Sequence, residues 1–164
     1  MQTSWHQLSV ILNLNVILHI SDCLPVGGAL ADIFLDPGRT LAHKLFVGPC
    51  HRSKGYTPDD EQRRRKTFNS ECAAYEIIQR NPALTRHVPK FFTRSTVTDV
   101  IDEQGQSVRD QYLIDCCYAM EFIGGSADAK IGACRAAYPH ISSAEQAFKH
   151  AGVLYIEDSG EGEH

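Results

Sequence analysis

The stretch ADIFLDPGRTLAHKLFVG, residues 31–48, constrains this chain more than any other. Two apolar-rich runs, Ala31 to Leu35 and Thr40 to Val47, are separated by Asp36-Pro37-Gly38-Arg39. Proline presets φ at the second position of a turn, glycine accepts backbone angles that other residues avoid, and aspartate hydrogen-bonds the backbone ahead of it. A connection this short returns the chain on itself, so the two runs are predicted to pair as a hairpin. Inside the second run, LAHKLF sets polar His43 and Lys44 among Leu41, Ala42, Leu45 and Phe46. A lysine there ordinarily belongs to a strand with one wet face, its stem lying over apolar surface and its ammonium in water. The functional reading is that the amine is held in a cleft to meet an anion, often a phosphate, and it requires a partner carboxylate elsewhere in the chain. As a strand neighbour of Lys44, His43 is expected on the opposite face, at the surface or the core edge.

With 164 residues, 43% of them hydrophobic, the chain is long enough for one ordinary core and too short for two comfortable ones, so residues 1–164 read as a single domain. The net charge of -4 gives no general attraction to nucleic acid or anionic lipid, and neither is expected as a partner. SVILNLNVILHI, residues 9–20, is too short and too polar to span a bilayer, and no lysine or arginine precedes Arg39, so the positive start of a signal peptide is missing. The expectation is a soluble protein of the reducing cytoplasm. The six cysteines include the adjacent Cys116 and Cys117 but no C-x-x-C, which excludes a zinc-ribbon or thioredoxin motif and favours reduced, mostly buried thiols. Neighbours on a strand, Cys116 and Cys117 are expected to face one in and one out. The eight histidines show no metal-binding spacing, so no metal site is expected.

Along the chain, Leu12, Leu14, Val16, Leu18 and Ile20 alternate with Asn13, Asn15 and His19, the pattern of a half-buried strand. Thr57 followed by Pro58, Asp59 and Asp60 is a helix start: a hydroxyl cap, a proline in the first turn and acids at the positive dipole end. The cations Arg63 to Lys66 then lie along a solvated helix or form a docking stripe for an acidic partner. Phe68, Glu71, Cys72, Tyr75 and Ile78 share one helical face, and Asn81-Pro82 stops the run. Glu71 is the oddity, because an acid on an apolar face must reach the edge or find a cation. VPKFFTRSTVTDVID and VRDQYLIDCCYAMEFIGG read as a second hairpin turning around Glu103 to Gln106, its second strand running from Tyr112 to Phe122. Two short helices are expected within residues 126–155, the second capped by Ser142 or Ser143, and residues 156–164 form an acidic, glycine-rich tail.

This order of elements over residues 10–125 resembles the small, N-terminal lobe of the protein-kinase-like fold, including its aminoglycoside-phosphotransferase-like branch. GGALADIFL resembles the glycine turn and the strand after it, without the G-x-G-x-x-G spacing. LAHK resembles the V-A-I-K strand, which places Lys44 at the phosphate-pairing position. ECAAYEII resembles the E-x-x-A-Y-x-x-L helix of bacterial kinase-like proteins and nominates Glu71 as the partner of Lys44. HVPKFF resembles the segment leading into the fourth strand. YAMEFIGG resembles the hinge, with Met120 as gatekeeper and Glu121 to Ile123 offering backbone groups to adenine. The resemblance implies an α+β fold: a curved antiparallel sheet of about five strands with one main helix packed on it, followed by the short C-terminal helices. It also implies that Lys44 and Glu71 meet across the helix–sheet interface.

Phosphoryl transfer in such a fold needs a catalytic-loop acid, an asparagine a few residues on and a second acid for magnesium. GVLYIED resembles the approach to the catalytic loop, so Glu157 or Asp158 stands near the catalytic acid, but no H-R-D-x-x-x-x-N and no D-F-G is written before His164. The leading expectation is therefore a pseudokinase-like small-lobe module without catalytic residues or cofactor, more a binder than an enzyme. It would act on a protein partner or a second copy of itself as a regulator, an adaptor or an immunity-type inhibitor. Its candidate surfaces are the apolar floor that a large lobe would cover, the Arg63 to Lys66 stripe and the C-terminal helices. The alternative is a minimal ATP-binding phosphotransferase using Lys44 and Glu71 for phosphate, Met120, Glu121 and Ile123 at the adenine, and magnesium near Glu157 or Asp158. A third reading is an α+β domain of another family in which the lysine strand is coincidental.

Overall fold

The computed structural model describes residues 16–25, 30–51, 57–86, 88–122, 143 and 146–150. The hairpin read from Asp36-Pro37-Gly38-Arg39 is present as β2, Ala31–Leu35, and β3, Leu41–Val47; β1 is the strand Val16–His19 before it. Asp36 builds the turn: its Oδ1 accepts the backbone N–H groups of Thr40 and Leu41, each at 2.7 Å, while the Arg39 N–H closes on the Asp36 carbonyl at 2.9 Å. Arg39, not Gly38, takes the left-handed conformation, with φ 53°.

The helix α1, Pro58–Gln79, is one continuous run of 22 residues. The Asp60 carboxylate holds its start by accepting the Thr57 N–H at 2.7 Å and the Thr57 hydroxyl at 2.9 Å. A short helix α2, Pro82–Thr85, follows, capped by the Asn81 side chain accepting from the Ala83 N–H. The strands β4, Phe91–Ser95, β5, Val97–Ile101, and β6, Tyr112–Glu121, complete the described architecture.

The fold is α+β with a main helix, as expected, but the strands do not form a single curved antiparallel sheet. An antiparallel four-stranded sheet has the order β2-β3-β6-β4, and β1 pairs with β5 as a separate, parallel two-stranded sheet. The division falls at Thr96. Up to Ser95 the chain pairs with β6; the Thr96 carbonyl then accepts the Val16 N–H at 3.0 Å, and from Val97 onward the partner is β1. Hydrophobic alternation carries no mark of this exchange, because both halves of the run have one buried face.

Each face of the four-stranded sheet is covered. On one side Phe46, Phe91 and Tyr118 pack against Phe68 and Cys72 of α1. On the other, Phe34, Leu45, Val47 and Cys117 pack against Leu18 of β1 and against Val97 and Val100 of β5. The expectation that one of Cys116 and Cys117 faces outward is therefore corrected: they point to opposite faces, and both are buried. A bulge accompanies them, since Leu45 opposes Cys117 while Val47 opposes Tyr112. It turns Asp115 and Cys116 to the same side, where both meet Arg65.

Within the C-terminal region, Ser143 and residues 146–150 are helical; the rest of 126–155, the tail 156–164, Gly27, Gly28, Glu157 and Asp158 lie outside the described residues. Among the described residues no helix is long and apolar enough to cross a membrane.

Candidate functional site

Lys44 projects from the middle of β3 toward α1, on the same face as Phe46, with its cross-strand neighbour Tyr118 on β6. Glu71 comes from the fourth turn of α1, one residue before buried Cys72. The two meet in a two-pronged contact: Lys44 Nζ donates to Glu71 Oε1 at 2.9 Å and to Oε2 at 2.8 Å. The oddities of the strand and of the helix thus answer each other. The Lys44 side chain is 25% exposed and that of Glu71 30%, so the pair sits at the lip of the helix–sheet interface, within reach of water. The ammonium lies 5.3 Å from the Phe46 ring centroid and 5.9 Å from that of Tyr118, and these rings shelter its inner side.

A third residue, which the sequence reading did not single out, completes the group. The Tyr118 hydroxyl donates to Glu71 Oε2 at 2.7 Å. Burial, and then the negative charge of Glu71, push the Tyr118 phenol well above its ordinary pKa, so it keeps its proton and acts as a donor. Its ring is packed among Phe68, Tyr75 and Phe91. The signal that could have found it is parity: Tyr118 is two residues before Met120 on β6 and so shares its face.

Met120 lies on this face at the edge of the aromatic cluster, opposite Ala42 of β3 and Phe91 of β4. Glu121 ends β6. Its N–H donates to the Lys90 carbonyl at 2.7 Å, its carboxylate accepts the Lys90 N–H at 3.2 Å, and the Phe122 N–H donates to the Thr40 carbonyl at 2.9 Å. The N–H groups of Glu121 and Phe122 are thus used within the fold. Ile123 lies outside the described residues.

The Arg63 to Lys66 run does not form one stripe, which corrects both readings of it. Successive helical residues turn by about 100°, so four in a row spread around the axis. Arg63 and Lys66 are exposed, whereas Arg64 is buried and donates to the Val47 carbonyl at 3.3 Å. Arg65 bridges Glu61 at 3.1 Å and Asp115 at 2.6 Å, and its guanidinium is held above its ordinary pKa by the hydrogen bond to Asp115.

On the opposite face His43 is buried between Phe34 and Ala119 in register, its Nδ1 without a hydrogen-bond partner. It was expected at the surface or core edge; the packing of β1 and β5 over this face encloses it. Nearby, Asp32 accepts the Tyr112 hydroxyl at 2.8 Å and lies 3.2 Å from His51 Nε2. These three residues are far apart in sequence, and no local pattern announces their meeting. Among the described residues no group of three metal-ligating side chains comes together.

No family model matches the chain, and neither a characterised protein nor a solved structure is matched by it.

Proposed function

We propose that these residues form a kinase-like small lobe that binds without catalysing and works through a protein partner, as a regulator, an adaptor or an immunity-type inhibitor. The observation that carries the reading is the two-pronged Lys44–Glu71 contact between a central strand and the main helix. A partly exposed ion pair adds little stability, at most about 1 kcal/mol. An ordinary exposed lysine would not need a carboxylate delivered from the helix packed above it. The order hairpin with its lysine strand, then main helix, agrees with the resemblance, whereas three strands rather than two follow the helix.

Phosphoryl transfer rests on positioning and on neutralising charge with metal. Within these 164 residues neither H-R-D-x-x-x-x-N nor D-F-G is written. The partner surface is not an open face of the described sheet, since α1 covers one side and β1 with β5 the other. The strand edge of β4, where an incoming strand can pair, and the segment 126–155 are the places we assign to it, because Cys23 and Leu24 already pair with the outer edge of β2. A second reading, nucleotide binding, is favoured by one feature: the Lys44 side chain is one-quarter exposed, so a phosphate could meet it from the water side.

Incubation with labelled ATP and magnesium tests the main reading. No transfer to the protein or to generic substrates is the expected result; robust incorporation that Lys44→Ala abolishes overturns it. Calorimetry with ATP and magnesium separates the second reading: saturable heat lost in Lys44→Ala supports it, and absence of heat at millimolar nucleotide removes it.

A further inference from the structure

We infer that Tyr118 is the positioning residue of the ion pair: its hydroxyl, fixed by the core, holds the Glu71 carboxylate on Lys44 whether or not a ligand is present. The inference deepens the reading of Lys44 as an anion-facing group and rests on it for its functional consequence.

A glutamate with three side-chain torsions and a lysine with four do not hold a bidentate geometry at a partly exposed site by mutual attraction alone, because side-chain entropy and water screening offset the Coulomb gain. Tyr118 differs from both. It is 2% exposed, and its ring is set between Phe91 and Tyr75, with centroids at 5.6 and 5.7 Å, and Phe68 at 6.3 Å. The hydroxyl is therefore a donor whose position is decided by the aromatic core. A buried hydroxyl without an acceptor carries the full desolvation cost, so the phenol favours conformations in which Glu71 points inward.

Glu71 Oε2 receives Tyr118 at 2.7 Å and Lys44 at 2.8 Å, and Oε1 receives Lys44 at 2.9 Å. Strands β3 and β6 thus grip one helix carboxylate from two directions, and the Tyr75 ring, one helical turn after Glu71, packs against that of Tyr118 with centroids 5.7 Å apart. The result is a chain of polar tips, Tyr118, Glu71 and Lys44, along the helix–sheet seam. Through it the packing of α1 on the sheet reports directly on the lysine. A shift of α1 that costs Tyr118 its acceptor also releases Lys44.

The test reads the Lys44 ammonium and the Tyr118 ring by nuclear magnetic resonance, in protein labelled at lysine and tyrosine. Wild type is compared with Tyr118→Phe, which keeps the ring, and with Glu71→Gln, which keeps the side-chain length. The expected result is that Tyr118→Phe moves the Lys44 side-chain resonances toward their Glu71→Gln positions and raises Lys44 acylation by an amine reagent toward the Glu71→Gln rate. In Glu71→Gln the Tyr118 ring Cζ resonance also shifts, a readout that needs no change at Tyr118. If Glu71→Gln moves Lys44 but Tyr118→Phe leaves it at the wild-type position, the pair holds itself and the positioning role is overturned, while the reading of Lys44 stands. If neither variant moves Lys44, the ion pair is not formed in solution, and the proposed function falls together with this inference.

Discussion

Replacing His43 by leucine isolates the contribution of one buried titratable group. His43 is 6% exposed, and its Nδ1 has no hydrogen-bond partner. Burial holds its pKa below the ordinary value, against an opposing pull from the negative charge of Asp36. At pH 8 the ring is neutral in both the folded and unfolded chains, and leucine removes an unsatisfied nitrogen whose burial costs about 1–3 kcal/mol. Imperfect shape takes back up to about 1.5 kcal/mol. The variant is thus expected to range from about 0.5 kcal/mol less stable to about 3 kcal/mol more stable.

The pH dependence is the sharper readout. With the folded pKa below the unfolded one, the unfolded chain binds the proton first, so this contribution to stability is fully present above about pH 6.5 and is lost as the pH falls through that value. One proton can cost no more than about 1.4 kcal/mol per pH unit. Urea unfolding followed by circular dichroism at pH 8, 7, 6 and 5 should show the leucine variant gaining on wild type below about pH 6.5. Titration of Asp36, whose burial is outweighed by hydrogen bonds from Leu41 and Thr40 that set it below the usual carboxylate range, belongs to lower pH. Parallel curves for the two proteins from pH 8 to 5 would refute the argument, since His43 would then titrate alike folded and unfolded.

Three further outcomes follow from the same packing. Glu71→Leu should cost about 2–4 kcal/mol in urea unfolding, most of it from the Tyr118 hydroxyl losing its acceptor, whereas Glu71→Gln, which still accepts, should cost about 1 kcal/mol or less. Equal losses in the two would mean that the Tyr118 hydroxyl does not depend on Glu71 as its acceptor. Gly48→Ala should destabilise by about 1–3 kcal/mol, because the new Cβ would lie 3.1–3.2 Å from backbone atoms of Tyr112 that cannot rotate away; an unchanged urea midpoint would count against it. Exposed Cys50 should react with a thiol reagent well before Cys72 and Cys116, whose thiols burial pushes up to about 11, and before Cys117, also raised by burial. Mass mapping of early adducts on Cys72, Cys116 or Cys117 in the native protein would contradict the packing described.

What the sequence determined by itself is what short-range chemistry decides. The turn Asp36 to Arg39 placed β2 and β3 almost to the residue, since a carboxylate that accepts the N–H groups of Thr40 and Leu41 acts within five positions. Thr57-Pro58-Asp59-Asp60 marked the start of α1, because a cap works on the first turn alone. Lys44 and Glu71 were each legible as a charge that broke the apolar pattern of its own element and called for its opposite, while naming them as each other's partner came from the kinase-like resemblance.

Tertiary structure decided everything that depends on which strand lies beside which. The exchange of partners at Thr96 turned an expected single sheet into two, since alternation tells which face of a strand is buried and says nothing about its neighbour. Once β1 and β5 covered the second face, His43 and Cys117 became buried, although nothing in their local sequence differs from an exposed position. The four cations of α1 were divided between core, salt bridge and solvent by rotation about the helix axis against a sheet whose bulge presents Asp115 to Arg65. Tyr118 joined the ion pair for the same reason: its hydroxyl meets Glu71 only when β6 lies beside β3 and α1 lies across both, a coincidence of three elements that packing alone brings about.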